Sequence, residues 1–141
     1  MEIASVRQQV LQTIDRAKRR VAERRVRADE ASREYTSFLQ EIAIPLFRQV
    51  ANALKAESYV FNVFTPGGSV RLMSDKNAED YIEIVLDTTG DRPLVMGHTS
   101  RARGHRVVES EAPIGESAVR DLTEEHVLQF LMKELEPFVE R

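Results

Sequence analysis

From Met1 to Ile44 the chain contains neither glycine nor proline, and most of its residues are strong helix formers. The apolar residues of this stretch fall on one heptad frame. Setting d at Ile3, Val10, Ala17, Arg24, Ala31 and Phe38, and a at Arg7, Ile14, Val21, Ala28, Tyr35 and Ile42, makes ten of the twelve positions apolar without a break in phase. Ala17, Ala28 and Ala31 keep the stripe thin, which suits close approach of another helix. Forty residues of helix run about 60 Å, whereas a compact chain of 141 residues has a radius of gyration of about 14 Å. The helix must therefore project or fold back. We read residues 1–44 as a projecting, coiled-coil-like segment for oligomerisation or docking, and residues 45–141 as an α+β domain.

Pro45 is the first break in the pattern and disfavours helical geometry at Ile44. Leu46, Phe47, Val50, Ala51 and Leu54 resume a 3.6-residue period, predicting a kink or a second helix that ends near Glu57. From Ser58 the period becomes two. SYVFNVF, VRLM, DYIEIVLDT and PLVMGHTSR read as strands, and RARGHRVVESE folds back into a fifth around an Arg103-Gly104 turn. In this reading Pro66 and a following glycine form a type II turn, and His98 lies opposite Glu109. The strands make a five-stranded antiparallel meander, one face of which needs a cover. A last amphipathic helix supplies it. Thr123 is placed to cap that helix, Leu122 and Val127 to staple it, and Val127, Phe130, Leu131, Leu135 and Phe138 form its apolar stripe. Pro137 is expected to loosen its final turn.

Charge is unevenly spread. The net charge is −3, yet RAKRRVAERRVR, Arg16 to Arg27, holds seven basic residues and one acid. The remainder is acidic, most of all from Glu109 onward. In the heptad frame Arg16 is at c, Lys18 and Arg25 at e, Arg19 at f, Arg20 and Arg27 at g, and Arg24 on the stripe itself. A parallel homodimer would bring Arg20 of one copy against Arg25 of the other, and that clash disfavours it. An antiparallel pair or an acidic partner helix avoids it. Nucleic-acid phosphates would also satisfy these arginines. Against that, the charges surround the helix instead of forming one strip, and the sheet lacks basic residues interleaved with aromatics.

The chain offers little for catalysis. It has no cysteine, which removes disulfides, thiolate metal sites and cysteine nucleophiles. Its three histidines are not at ligand spacing. His105 and His126 read as surface residues, and His98 as half of a cross-strand polar pair. Pro66-Gly67-Gly68-Ser69 lacks the Lys-Ser/Thr and the helix of a phosphate loop. No catalytic, cofactor-binding or metal-ligating residue is assigned. A pocket for a small apolar ligand, or the site of an uncharacterised enzyme, on the sheet face and lined by Tyr59, Phe61, Phe64, Met73, Met96, Phe130 and Met132 is a further alternative. The first 16 residues lack the apolar run of a signal peptide, and no segment reaches a membrane span, so a cytoplasmic location and no membrane partner are expected.

These observations point to a non-enzymatic interaction module. Its partner seam is Ile3, Val10, Ile14, Ala17, Val21, Arg24, Ala28, Ala31, Tyr35 and Phe38, and its basic docking patch is Arg16, Lys18, Arg19, Arg20, Arg25 and Arg27. The partner is a second copy or another protein, with nucleic acid as the alternative.

Overall fold

The computed structural model describes residues 1–115 and 118–140. A long helix α1 (Ile3–Phe38) passes through a π-helical turn (Leu39–Ala43) into α2 (Ile44–Ala56). Five strands follow, β1 (Phe61–Phe64), β2 (Val70–Ser74), β3 (Tyr81–Asp87), β4 (Leu94–Arg103) and β5 (Arg106–Pro113). A 3₁₀ turn (Val119–Asp121) leads into α3 (Glu124–Val139). The strands form one antiparallel meander in sequence order, as alternation and short turns predict. The class is α+β.

The break expected at Pro45 takes an unexpected form. The Ile44 amide donates to the Leu39 carbonyl, five residues back, and Pro45 then sits in the first turn of α2. A proline costs least there, because it has no amide to leave unpaired. The helix thus carries the proline by inserting one residue upstream. At the other end α2 stops near Glu57, as its period predicts. The Ser58 amide donates to Lys55 and the Tyr59 amide to Leu54, with Ser58 in the left-handed region at φ 71°. That is a Schellman stop built on serine instead of glycine.

Strand alternation divides the sheet into two faces. Phe61 and Val63, Val70 and Leu72, Ile82 and Ile84, and Val95 and Gly97 point to the helices. α2 lies against β1 and β2, while α3 lies against β3 and β4. Phe47, Leu72, Ile82, Ile84 and Leu131 are fully buried between the layers, and Phe61 meets Phe138 edge-on at 5.9 Å. Gly97 allows α3 its close approach, since a Cβ there would fall inside the Phe130 ring. α3 opens as the sequence predicts. The Thr123 hydroxyl accepts from the His126 amide while the Thr123 amide donates to His126 Nδ1, and both staple residues, Leu122 and Val127, are buried. Pro137 lies inside α3, which continues to Val139.

Two turns differ from expectation by one residue. The Ser69 amide donates to Pro66, so Gly68 (φ 79°), not Gly67, is the left-handed residue of that turn. In the last hairpin Arg103 pairs with Arg106, so the turn is Gly104-His105, with Gly104 at φ 63°. A two-residue hairpin favours positive φ at its first central position, and glycine supplies it there without strain. Moving the turn one position shifts the register by two, so His98 faces Glu111, not Glu109, and Ser100 faces Glu109.

Two substitutions test this packing by urea denaturation. Ser58→Gly should raise stability by up to about 1 kcal/mol by relieving the left-handed serine. Gly97→Ala should lower it by about 1–3 kcal/mol by forcing Phe130 off its seat on the sheet.

Candidate functional site

The stripe along α1 meets two environments. Toward its end Ala31, Tyr35 and Phe38 are buried in the chain's own core, and Ala28 is half covered. These four seam positions face the domain and are not open to a partner. Ile42, on the same stripe in the π turn, also packs on the core. From residue 27 back to residue 1 no side chain is buried. Ile3 is 87% exposed, Val10 51%, Ile14 45% and Val21 46%. Val6 and Leu11 flank them and are exposed too. Covering one such half-exposed aliphatic side chain is worth on the order of 1 kcal/mol. A stripe of this length left open in a monomer is unusual, because large exposed apolar patches on soluble proteins mark contact surfaces.

The change of environment comes at Arg24. Its guanidinium reaches Asp91 in the β3–β4 loop at 3.7 Å. Beyond it the loop and the 3₁₀ turn bring the domain up against the helix. Arg24 therefore has an intramolecular carboxylate to meet, which accounts for one of the two charges on the stripe. Both groups are largely solvated, so the pair is weak. Elsewhere in the basic stretch Arg19 pairs with Asp15 at 2.9 Å one turn away, and Arg16 donates to the Thr13 hydroxyl. Lys18, Arg20, Arg25 and Arg27 are exposed to solvent.

The sheet face turned away from the helices carries a second cluster, which the sequence reading did not assemble. Arg71 on β2 lies directly across from Glu83 on β3, and Arg71 Nε donates to Glu83 Oε2 at 2.7 Å. The Ser69 hydroxyl lies 3.4 Å from the same oxygen. The guanidinium stands 4.0 Å over the Tyr81 ring, and Tyr81 meets His98 edge-on at 5.6 Å. Glu83 is only 7% exposed, so its charge requires the guanidinium. Neither Ser69 nor His98 is positioned as an activated nucleophile and base, since the serine oxygen points to a carboxylate already held by arginine. The arrangement pins three strands together and presents a flat arginine–aromatic surface to solvent. Alternation would have placed Arg71 and Glu83 on this face. Their direct pairing depends on the register across residues 75–80, which composition does not set.

Tyr35 links the two regions. Its hydroxyl donates to the Ile84 carbonyl at 3.2 Å. Burial, and to a lesser degree the charge of Glu83, push its ionisation above the usual tyrosine range. The neutral hydroxyl is therefore the form the fold requires. Asp80 is buried as well, and its carboxylate accepts from the Ala102 amide at 2.7 Å, tying the start of β3 to the end of β4.

The residues considered for a cavity do not converge. Phe61 and Phe130 point into the helix layer, Phe64, Met73 and Met96 belong to the opposite sheet face, and Tyr59 and Met132 are exposed. Among the described residues no cluster of three or more His, Asp or Glu is arranged to hold a metal, and no helix is long and apolar enough to cross a membrane.

Arg71→Leu should cost about 1–3 kcal/mol by leaving the buried Glu83 carboxylate without its arginine, and Arg71→Leu with Glu83→Leu should recover most of it. Urea midpoints of the two variants decide this. For Tyr35 the raised folded value sets the sign: its contribution is whole below the ordinary pKa of about 10 and is lost as pH climbs from there toward the folded value. Tyr35→Phe should therefore be the weaker protein at pH 7, by about 1 kcal/mol, and lose less stability than wild type between pH 9 and pH 11.

Comparison with known protein families, with characterised proteins and with solved structures finds no match to this chain.

Proposed function

We propose that this protein is a non-enzymatic assembly module, in which the free part of α1 is the docking surface and the sheet domain anchors it. The observation that carries the reading is the change of environment along one stripe of one helix. The same apolar positions that enter the core at Ala31, Tyr35 and Phe38 continue uncovered through Val21, Ile14, Val10 and Ile3. Helices in proteins gain most of their stability by packing an apolar face and not from intrinsic propensity. A partner helix on that face supplies the missing cover. The partner is a second copy or another protein with a matching stripe. A cytoplasmic setting belongs to the same proposal.

Phosphate binding by Arg16, Lys18, Arg19, Arg20, Arg25 and Arg27 is the second reading, favoured by the solvent exposure of these side chains. It predicts steeply salt-dependent DNA or RNA affinity. That affinity should vanish when Arg19, Arg20, Arg24 and Arg25 are all replaced by glutamine, without any change in oligomeric mass.

Sedimentation equilibrium separates the two readings. Self-assembly predicts a mass above 16.1 kDa that falls to the monomer in Val10→Glu/Ile14→Glu. Both positions are solvated in the single chain, so the fold is untouched. A multimeric mass that persists in this variant would sink the role given to α1. Raising salt should leave the wild-type mass unchanged or higher, because an apolar seam flanked by like charges gains from screening.

A further inference from the structure

We infer that the occupant of the open stripe is a second copy of this chain, running antiparallel, with Ile3 against Val21, Arg7 against Ala17 and Val10 against Ile14. This rests on the assembly role proposed for α1 and specifies its partner, direction and register.

Three observations select this arrangement. The first is charge on the stripe. In a parallel pair each a and d residue meets its own copy, stacking Arg7 on Arg7 and Arg24 on Arg24, with Arg20 beside Arg25. In an antiparallel pair a positions pack against d positions. Arg7 then lies over Ala17, whose small side chain leaves room for the arginine stem to run outward to water. The flanks are likewise free of like pairs, with Val6 beside Arg20, Ala4 beside Lys18, and Leu11 beside its own copy next to the two-fold axis. Glu2 comes level with Ala22, between the arginines at 20 and 24.

The second observation is where the free stripe stops. Asp91 reaches Arg24, and Ala28 and Ala31 already face the domain. Sliding the second helix one heptad toward the domain would set its Ile3 at Ala28, where the chain's own body lies, and its Arg7 at Arg24. The third is apolar match. Sliding one heptad the other way sets Ile3 on Ile14 and Arg7 on Val10, leaving Ala17 and Val21 uncovered. Only the register centred level with Gln12 uses the whole free stripe, avoids the domain and buries no arginine pair. A two-fold pair of this kind is closed, so the assembly stops at two chains.

The chain has no native cysteine, which makes disulfide trapping clean. Val10→Cys and Ile14→Cys are each made in the full chain, checked for unchanged helicity and urea midpoint, and oxidised singly and as an equimolar mixture. In the antiparallel register like positions are offset by about 6 Å along the axis, in addition to the spacing between helices. That separation exceeds what a disulfide spans, whereas positions 10 and 14 of opposite chains are level. The expected result is roughly tenfold more covalent dimer in the mixture than in either single variant. Abundant dimer from Ile14→Cys alone, with no gain on mixing, means parallel helices and overturns this inference while leaving the assembly role of α1 intact. A monomeric mass with no trapping in any sample overturns the self-pairing outright. A dimeric mass that Val10→Glu/Ile14→Glu does not alter overturns the assembly role itself.

Discussion

One helix, with one stripe, has to serve two environments. The stripe that buries Ala31, Tyr35 and Phe38 in the domain core belongs to the same rigid rod as Ile3, Val10, Ile14 and Val21. The core end therefore fixes how the free end is aimed. The π turn and Pro45 keep α1 and α2 in one helical run, so α1 continues directly from a helix packed on the sheet. The Tyr35 hydroxyl on the Ile84 carbonyl holds the helix near the point where it leaves the body, and the weak Arg24 contact with Asp91 marks that point. Whatever meets the stripe meets it at an orientation the sheet domain has already set.

The sheet domain has a self-contained logic. Its core is formed by one face of the meander against α2 and α3, and its opposite face is partly solvated and holds a buried carboxylate pinned by arginine. Arg71, Tyr81, Glu83 and His98 lie in adjacent strands because the register places them so, and the chemistry there is that of a structural ion pair. The strand β5 is exposed along its whole length. At this sheet edge Arg106, Glu109 and Glu111 interrupt the apolar residues and keep the strand from being a flat apolar template.

Much of this was legible in the sequence. Helix and strand periods separate at Ser58, the glycine and proline positions mark the turns, and Thr123 with Leu122 and Val127 marks the start of α3. What escaped was geometry that depends on a single residue. The last hairpin turns at Gly104-His105 instead of Arg103-Gly104, because backbone conformation decides which residue takes the left-handed position, and that shift of one reassigns every cross-strand partner of β5. A heptad count makes the seam a single surface, since it registers apolarity and not what lies opposite. Only the fold tells Ala31 and Tyr35, which meet their own core, from Val10 and Ile14, which meet none. His126 is partly exposed at the surface, in keeping with its position in the sequence, and its ring nitrogen also completes the cap of α3, a role set by rotamer and not by composition.

The central claim is that the free stripe of α1 is covered in the working protein. Amide hydrogen exchange of residues 3–21, measured as a function of protein concentration, tests it most directly. An uncovered projecting helix frays and exchanges fast, whereas a paired one is protected by the association equilibrium. The account predicts protection that rises with concentration across Ile3 to Val21 and falls back in Val10→Glu/Ile14→Glu, while residues 31–38 stay protected throughout. Exchange of residues 3–21 that is fast and indifferent to concentration would contradict it.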